Sequence, residues 1–185
     1  MQESRRPVAF APPRPVPPPP AWAVTGTAES RRNLVSSIYL EPDALERHIR
    51  KLEAKYLDAE RRIARAECWR TDDAEIVLVG YGIVGRILKA VVEQARARGI
   101  KAGLLRPVTL YPFPTTPIRD LARRARAFAV VEMSTGQLRD DVRLALEGRA
   151  PVEFFSRVGG NAPSAEEVLE FIEHKFAAEE VLVHG

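Results

Sequence analysis

Between Ala74 and Phe155 four short apolar runs alternate with helical patterns, and each run stops at a polar or glycine-rich mark. The runs are Ile76 to Val79 before Gly80-Tyr81-Gly82, Ala102 to Leu105 before Arg106-Pro107, Phe128 to Val131 before Glu132, and Val152 to Phe155 before Ser156-Arg157. Strand-length runs separated by helices predict consecutive βαβ units: an α/β fold, a parallel sheet with flanking helices. The first helix spans about Ile83 to Arg98, with Val84, Ile87, Leu88, Val91 and Ala95 on its buried face and Gly99 as its stop. A second opens at Thr116-Pro117, a cap followed by a first-turn proline. A third runs from near Gly136 to Gly148, and a fourth from the capping box Ser164-Ala165-Glu166-Glu167 to about Ala177. Ligands and partners of such sheets sit beyond the carboxyl ends of the strands. That edge carries Tyr81, Arg106, Glu132 and Arg157.

Upstream, Leu45, Ile49, Leu52, Tyr56, Ala59 and Ile63 fall at alternating steps of four and three, one stripe of a helix running from Pro42 to about Glu67. Pro42 suits the first turn and Asp43 complements the helix dipole. Charged residues on the other faces form i,i+4 pairs, so the stripe is expected to lie on the βα domain, with a partner as the alternative. Residues 1–20 hold eight of the fifteen prolines, which favours polyproline II: a linker or strap, or else an SH3-type ligand. The expected organisation is a proline-rich arm and linker over 1–41, a long amphipathic helix over 42–70, the α/β domain over 71–178 and a tail over 179–185.

Composition narrows the function classes. The 185 residues suffice for one full domain with extensions, and a net charge of +3 from 28 basic and 25 acidic residues is mixed rather than blocked. No nucleic-acid partner is implied. Cys68 is the one cysteine, which excludes a disulfide framework and a cysteine-rich cluster within the chain. No apolar run has the roughly 20 residues of a membrane span, and no apolar core follows the N-terminal arginines, so the expectation is a cytoplasmic protein without a membrane partner.

Several motifs carry competing readings. Gly80-Tyr81-Gly82-Ile83-Val84-Gly85 fits G-x-G-x-x-G between strand and helix, which suits a dinucleotide pyrophosphate. The ribose-reading acid expected after the second strand is replaced by Arg106-Pro107, so tight turning and close packing explain the glycines better. The chain is accordingly expected to bind neither NAD nor NADP. In the loop Arg106-Pro107-Val108-Thr109-Leu110-Tyr111-Pro112-Phe113-Pro114, three prolines stiffen the backbone and Phe113 stands between two of them, as an interface anchor or merely a closure of the domain. Glu132 could pair with Arg106, the simpler reading, or contact a ligand. Gly136-Gln137 at a helix start could hold an anion, or reflect capping by Ser134 or Thr135. His48 and His174 read as exposed helix residues and His184 as a tail residue. No catalytic triad, paired carboxylates or metal spacing stands out, and no catalytic or metal-binding residue is assigned.

On Gly80-Tyr81-Gly82, the string Arg106 to Pro114, Val131-Glu132-Met133 with Gly136-Gln137, and Arg157-Val158-Gly159-Gly160, the chain resembles a known family. The resemblance is to the C-terminal half of the alpha subunit of the thiamine-diphosphate-dependent 2-oxoacid:ferredoxin oxidoreductases, nearest the branched-chain (3-methyl-2-oxobutanoate) type. Trp22-Ala23-Val24-Thr25-Gly26 and Tyr39-Leu40-Glu41-Pro42 resemble the family's linker. The resemblance implies a transketolase C-terminal-like domain within an enzyme that converts a 2-oxoacid to an acyl-CoA and passes electrons to ferredoxin. It implies thiamine diphosphate, magnesium, coenzyme A and iron–sulfur clusters in the assembled enzyme, none of them bound by this chain alone. Implied partners are a pyrimidine-binding domain of the alpha subunit, a beta subunit, gamma and delta subunits, and ferredoxin. Nothing here corresponds to the pyrimidine-binding domain, and Met1-Gln2-Glu3 resembles the seam after it, so a fragment or split subunit, inactive alone, is expected. The candidate interface or site-edge residues are Tyr81, Gly82, Arg106, Thr109, Phe113, Glu132, Gln137 and Arg157.

Overall fold

The structure is a computed structural model that describes residues 17–36 and 38–183. Most of the proline-rich arm, and His184, lie outside the described residues. The chain divides into two compact units, residues 1–49 and 50–185, with the boundary inside the long helix rather than at its ends.

In the first unit the segment after the prolines is tied by side chains. Asn33 Nδ2 donates to the carbonyls of Ala21 and Ala23 (2.8 and 3.0 Å), and Ser30 Oγ accepts from the Thr25 amide at 3.1 Å. His48 is half-buried on its helix rather than exposed as expected. Its ring stacks on Tyr39 with centroids 4.5 Å apart, and the Tyr39 hydroxyl meets His48 Nδ1 at 3.1 Å.

Helix α1 (Pro42–Ile63) ends earlier than its periodicity suggested and has no buried residue. From residue 50 onward its stripe stays half exposed at Tyr56 and Ile63, contrary to the expected burial on the βα domain. An unforeseen strand β1 (Ala66–Trp69) follows. Then come β2 (Ile76–Val79), α2 (Gly82–Ala97), β3 (Ala102–Pro107), α3 (Thr115–Leu121), β4 (Ala127–Glu132), α4 (Gln137–Leu146), β5 (Val152–Ser156) and α5 (Ala165–Val183). The four predicted strands are present. The α5 capping box is reciprocal: the Glu167 amide donates to Ser164 Oγ (3.1 Å) and the Ser164 amide to Glu167 Oε2 (2.9 Å). Helix α5 runs past the expected stop near Ala177, because Ala-Ala-Glu-Glu-Val-Leu contains no breaker. Helix α3 opens at Thr115 behind Pro114, so Pro117 is its third residue and Thr116 is not a cap.

The strand order is β1-β3-β2-β4-β5. Four strands are parallel, while β1 pairs antiparallel with β3, Ala66 opposite Pro107 and Trp69 opposite Leu104. From β2 the chain crosses to β3 on one side, then returns over β2 to β4 on the other. Right-handed crossovers in opposite directions place their helices on opposite faces. Helix α2, joined by α5, covers Ile76, Leu78, Leu104, Ala129 and Val131. Helices α3 and α4 cover Val77, Val79, Leu105, Phe128 and Val130. Both sheet faces are therefore buried, which is why the strands read as continuous apolar runs.

Arg96 clamps the start of this arrangement. Its Nε donates to the Ala102 carbonyl at 2.7 Å, and its Nη2 to the Arg70 carbonyl at 2.9 Å and to Asp73 Oδ1 at 2.6 Å. The hydrogen bond from Arg96 holds the Asp73 carboxyl below its ordinary range. That pair therefore contributes above the unfolded carboxyl's pKa and is lost as pH falls through the lowered value. Arg96→Ala strands two carbonyls and is expected to cost about 2–3 kcal/mol in urea unfolding. Asp73→Ala removes only the solvent-screened ion pair and should cost clearly less. Equal small losses from both would disprove the clamp.

Candidate functional site at the switch between β2 and β4

The connection leaving β2 runs toward β3 and the one leaving β4 runs toward β5, so the loops after β2 and β4 part and leave a crevice at the carboxyl edge. A cleft of 170 Å³ lies there, lined by Tyr81, Gly82, Ile83 and Val84 on one side and Val131 to Ser134 on the other. The glycine pattern builds the first wall by close approach. A Cβ on Gly80 would stand 2.7 Å from Leu88 Cδ1 and 2.8 Å from Val84 Cγ1, and one on Gly85 3.1 Å from both the Arg106 stem and the Gly80 carbonyl. Both glycines thus let α2 lie tightly on the sheet, as the packing explanation of the motif requires. Gly82, at φ +59°, turns the chain into α2, whose first residues have no side-chain cap.

The second wall is Glu132, which is 2% exposed. Its Oε2 accepts from the Leu138 amide at 3.0 Å and from the Ser134 hydroxyl at 2.8 Å. Glu132, rather than Ser134 or Thr135, therefore caps α4, and Gly136 at φ 123° makes the sharp entry. A carboxylate suits a helix N-terminus through both the orphan amides and the dipole. No standard capping signal marks this start, because Glu132 lies six residues before the amide that it accepts from.

The expected Glu132–Arg106 pair does not form. Strand β2 stands between β3 and β4, and Arg106 instead donates to Glu67 Oε2 at 3.1 Å, its register partner on β1. Arg157 pairs with Glu167 of α5, and its amide donates to the Glu132 carbonyl at 3.2 Å. Thr109 ties the proline loop to the end of α1: its Oγ1 accepts from the Arg65 amide at 2.9 Å. Phe113 is partly buried against the α3/α4 side of the core, so it is not the outward anchor that the loop suggested. Tyr111 is that outward residue, 75% exposed, with its ring edge-on to Tyr56 at 6.3 Å. Gln137 is exposed, donating to Thr135 Oγ1 at 3.3 Å. Of the eight sequence-derived candidates, then, Tyr81, Gly82 and Glu132 meet in the cleft, and the other five do not line it. Among the described residues no three His, Cys, Asp or Glu side chains gather as metal ligands would.

The comparisons with known proteins agree with this architecture. Residues 74–168 match the family described as pyruvate:ferredoxin oxidoreductase core domain II. The ketoisovalerate oxidoreductase subunit VorB of Methanothermobacter thermautotrophicus is 48% identical over 155 residues, 84% of this chain and 44% of that protein. The chain thus spans under half the length of that relative. Among solved structures, the 2-oxoglutarate:ferredoxin oxidoreductase of Magnetococcus marinus, with 2-oxoglutarate, coenzyme A and succinyl-CoA bound, superposes with a TM-score of 0.66 at 17% identity, covering 74% of this chain and 24% of that one. A split-gene transketolase, an inactive beta4 tetramer, superposes at 0.52 with 20% identity, over 60% of this chain and 40% of that one. These two likenesses speak for the fold. With the match over residues 74–168, the chain belongs to the pyruvate:ferredoxin oxidoreductase core domain II family, the transketolase C-terminal-like α/β domain of the 2-oxoacid:ferredoxin oxidoreductases.

Proposed function

We propose that this chain is the interface domain of an alpha-type subunit in an enzyme that oxidatively decarboxylates a branched-chain 2-oxoacid to an acyl-CoA with ferredoxin as acceptor. The observation carrying this reading is the 48% identity to a ketoisovalerate oxidoreductase subunit over 84% of the chain. Its partners are a pyrimidine-binding domain, a beta subunit, gamma and delta subunits, and ferredoxin. The docking face is Tyr111 with Leu110 and Val108 on the proline loop, 75%, 46% and 43% exposed, beside Tyr56 of α1. A stiff loop carrying an exposed aromatic loses little entropy on docking. Arg106, Thr109 and Arg157 hold that edge of the domain in shape through Glu67, Arg65 and Glu167. Phe113 braces the loop from below, and Gln137 and Glu132 fix the start of α4.

The family's iron–sulfur clusters do not fit this chain's own residues. An iron–sulfur cluster takes several thiolates and Cys68 is alone. Those groups belong to the other segments. The test is the assembled enzyme supplied in turn with 3-methyl-2-oxobutanoate, 2-oxoglutarate and pyruvate. The branched acid is expected to give the highest kcat/KM for acceptor reduction, and a higher value for either other acid rejects the branched-chain assignment.

A further inference from the structure

A cavity of 390 Å³ opens at the amino edge of the sheet, the edge opposite the cleft. One side of it is a row of strand starts: Glu75 ahead of β2 lies between Lys101 ahead of β3 and Arg126 ahead of β4. Backbone bonds fix that row, the Glu75 amide donating to the Lys101 carbonyl at 2.8 Å and the Arg126 amide to the Glu75 carbonyl at 2.9 Å. The other side is the turn after α2 and the middle of α5, which bring Arg98, Ile100, Glu173 and Phe176. Both carboxylates are taken: Lys101 Nζ donates to Glu75 Oε1 at 2.7 Å, and Arg98 Nη1 to Glu173 Oε1 at 2.6 Å. The hydrogen bond from Lys101 holds the Glu75 carboxyl below its ordinary range, so it is charged at neutral pH. The exposed Arg126 guanidinium has no hydrogen bond or ion pair among the described residues and acts on Glu75 through charge alone. Three cations thus line the cavity against two carboxylates, a surplus of one positive charge.

We propose that this cavity binds a small organic monocarboxylate with an apolar body. Its carboxylate pairs with Arg126, whose planar fork matches two oxygens, and its body lies against Ile100 and Phe176. The volume is that of a small-molecule site, about 300–1,000 Å³. The charge count sets the class of head group. One negative charge neutralises the surplus, two overshoot it beside Glu75 and Glu173, and a cation adds to it. A neutral head would displace water from Arg126 with no charge to meet it. Asp73 also acts on Glu75, but Arg96 holds it at 2.6 Å and neither lines the cavity, so the count stands. The inference does not rest on the reaction proposed above.

The experiment follows the amide resonances of the isotope-labelled full chain during titration with 3-phenylpropanoate, 3-phenylpropanamide, 3-phenylpropylammonium and 2-phenylethyl phosphate, which share a body and differ in head group. The carboxylate is expected to shift Gly99 to Lys101 and Arg126 saturably in the millimolar range, with the other three weaker. Arg126→Gln removes an exposed guanidinium without touching the core, and should bind the carboxylate about tenfold more weakly. Glu75→Gln raises the surplus to two positive charges, so on that variant the phosphate ester should equal or pass the carboxylate. No saturation by the carboxylate, another probe matching it on the parent chain, or undiminished binding by R126Q would each overturn the proposal. An unchanged ranking of carboxylate over phosphate on E75Q would also overturn it, because the charge count would then not set the class. Should E75Q fail to fold, the parent ranking and R126Q decide.

Discussion

Given 3-methyl-2-oxobutanoate, coenzyme A, magnesium and thiamine diphosphate, the purified chain is expected to leave a viologen dye oxidised. Oxidative decarboxylation needs an electron sink for the carbanion and a carrier that removes the electrons. In this family the sink is a thiazolium held by a metal-bound diphosphate, and the carriers are clusters held by cysteine thiolates. One cysteine leaves this chain without a cluster holder, and the proposal places the diphosphate site on other segments. Its proposed part is to position other segments, so turnover should rise from nothing to full rate when the pyrimidine-binding segment and the beta subunit are added. Dye reduction by the chain alone, above a heat-treated control, would mean that the interface reading is wrong.

Replacing Gly103 should have the largest effect on stability of any single exchange in the sheet. It sits in β3, where the turn from β1 to β2 crosses the strand. A Cβ there would stand 2.7 Å from the Arg70 carbonyl oxygen, 2.9 Å from Ala74 Cβ and 3.1 Å from Thr71 Cα. The nearest obstacle is backbone, and it cannot swing away: Arg70 is already in the left-handed region at φ 51°, and its carbonyl is held by Arg96. Overpacking of this kind costs about 1–3 kcal/mol for one methyl, so Gly103→Ala is expected at the top of that range and Gly103→Val to be largely unfolded. Gly148→Ala, at φ +78° with open space around it, meets conformational strain alone and should cost about 1 kcal/mol. Urea midpoints of the three variants decide the matter. Similar losses for Gly103→Ala and Gly148→Ala would show that the turn can retreat.

The parallel part of the sheet was legible because both of its faces are covered. Strands β2 to β5 appear in the sequence as short apolar runs with clear stops. Strand β1 was not legible. Ala66-Glu67-Cys68-Trp69 shows no alternation and continues the helix-forming composition before it, so only its pairing with β3 makes it a strand. The carboxyl-edge residues were named correctly, but local sequence does not state the lateral order of strands. Arg106 and Glu132 follow one another along that edge in sequence, yet β2 lies between them in space. The convergence of Tyr81, Gly82 and Glu132 is the same fact seen from the other side. The stripe of α1 shows the limit of periodicity, which reveals an apolar face but not what covers it.

Strand β1 also bears on how the sheet meets other sheets. By lying along β3 it covers that strand and becomes one rim of the sheet, with β5 as the other. Every residue of β5 is half-buried, and its surroundings are fringed with charge, Glu153 on Lys175 at 3.0 Å and Arg157 on Glu167. Ion pairs at a bare rim would have to be displaced before a foreign strand could zip onto it. Lateral growth is thus electrostatically costly at β5, and at the other rim a four-residue strand stands where the six-residue β3 would otherwise be bare, which guards a highly apolar sheet against polymerising through its own backbone.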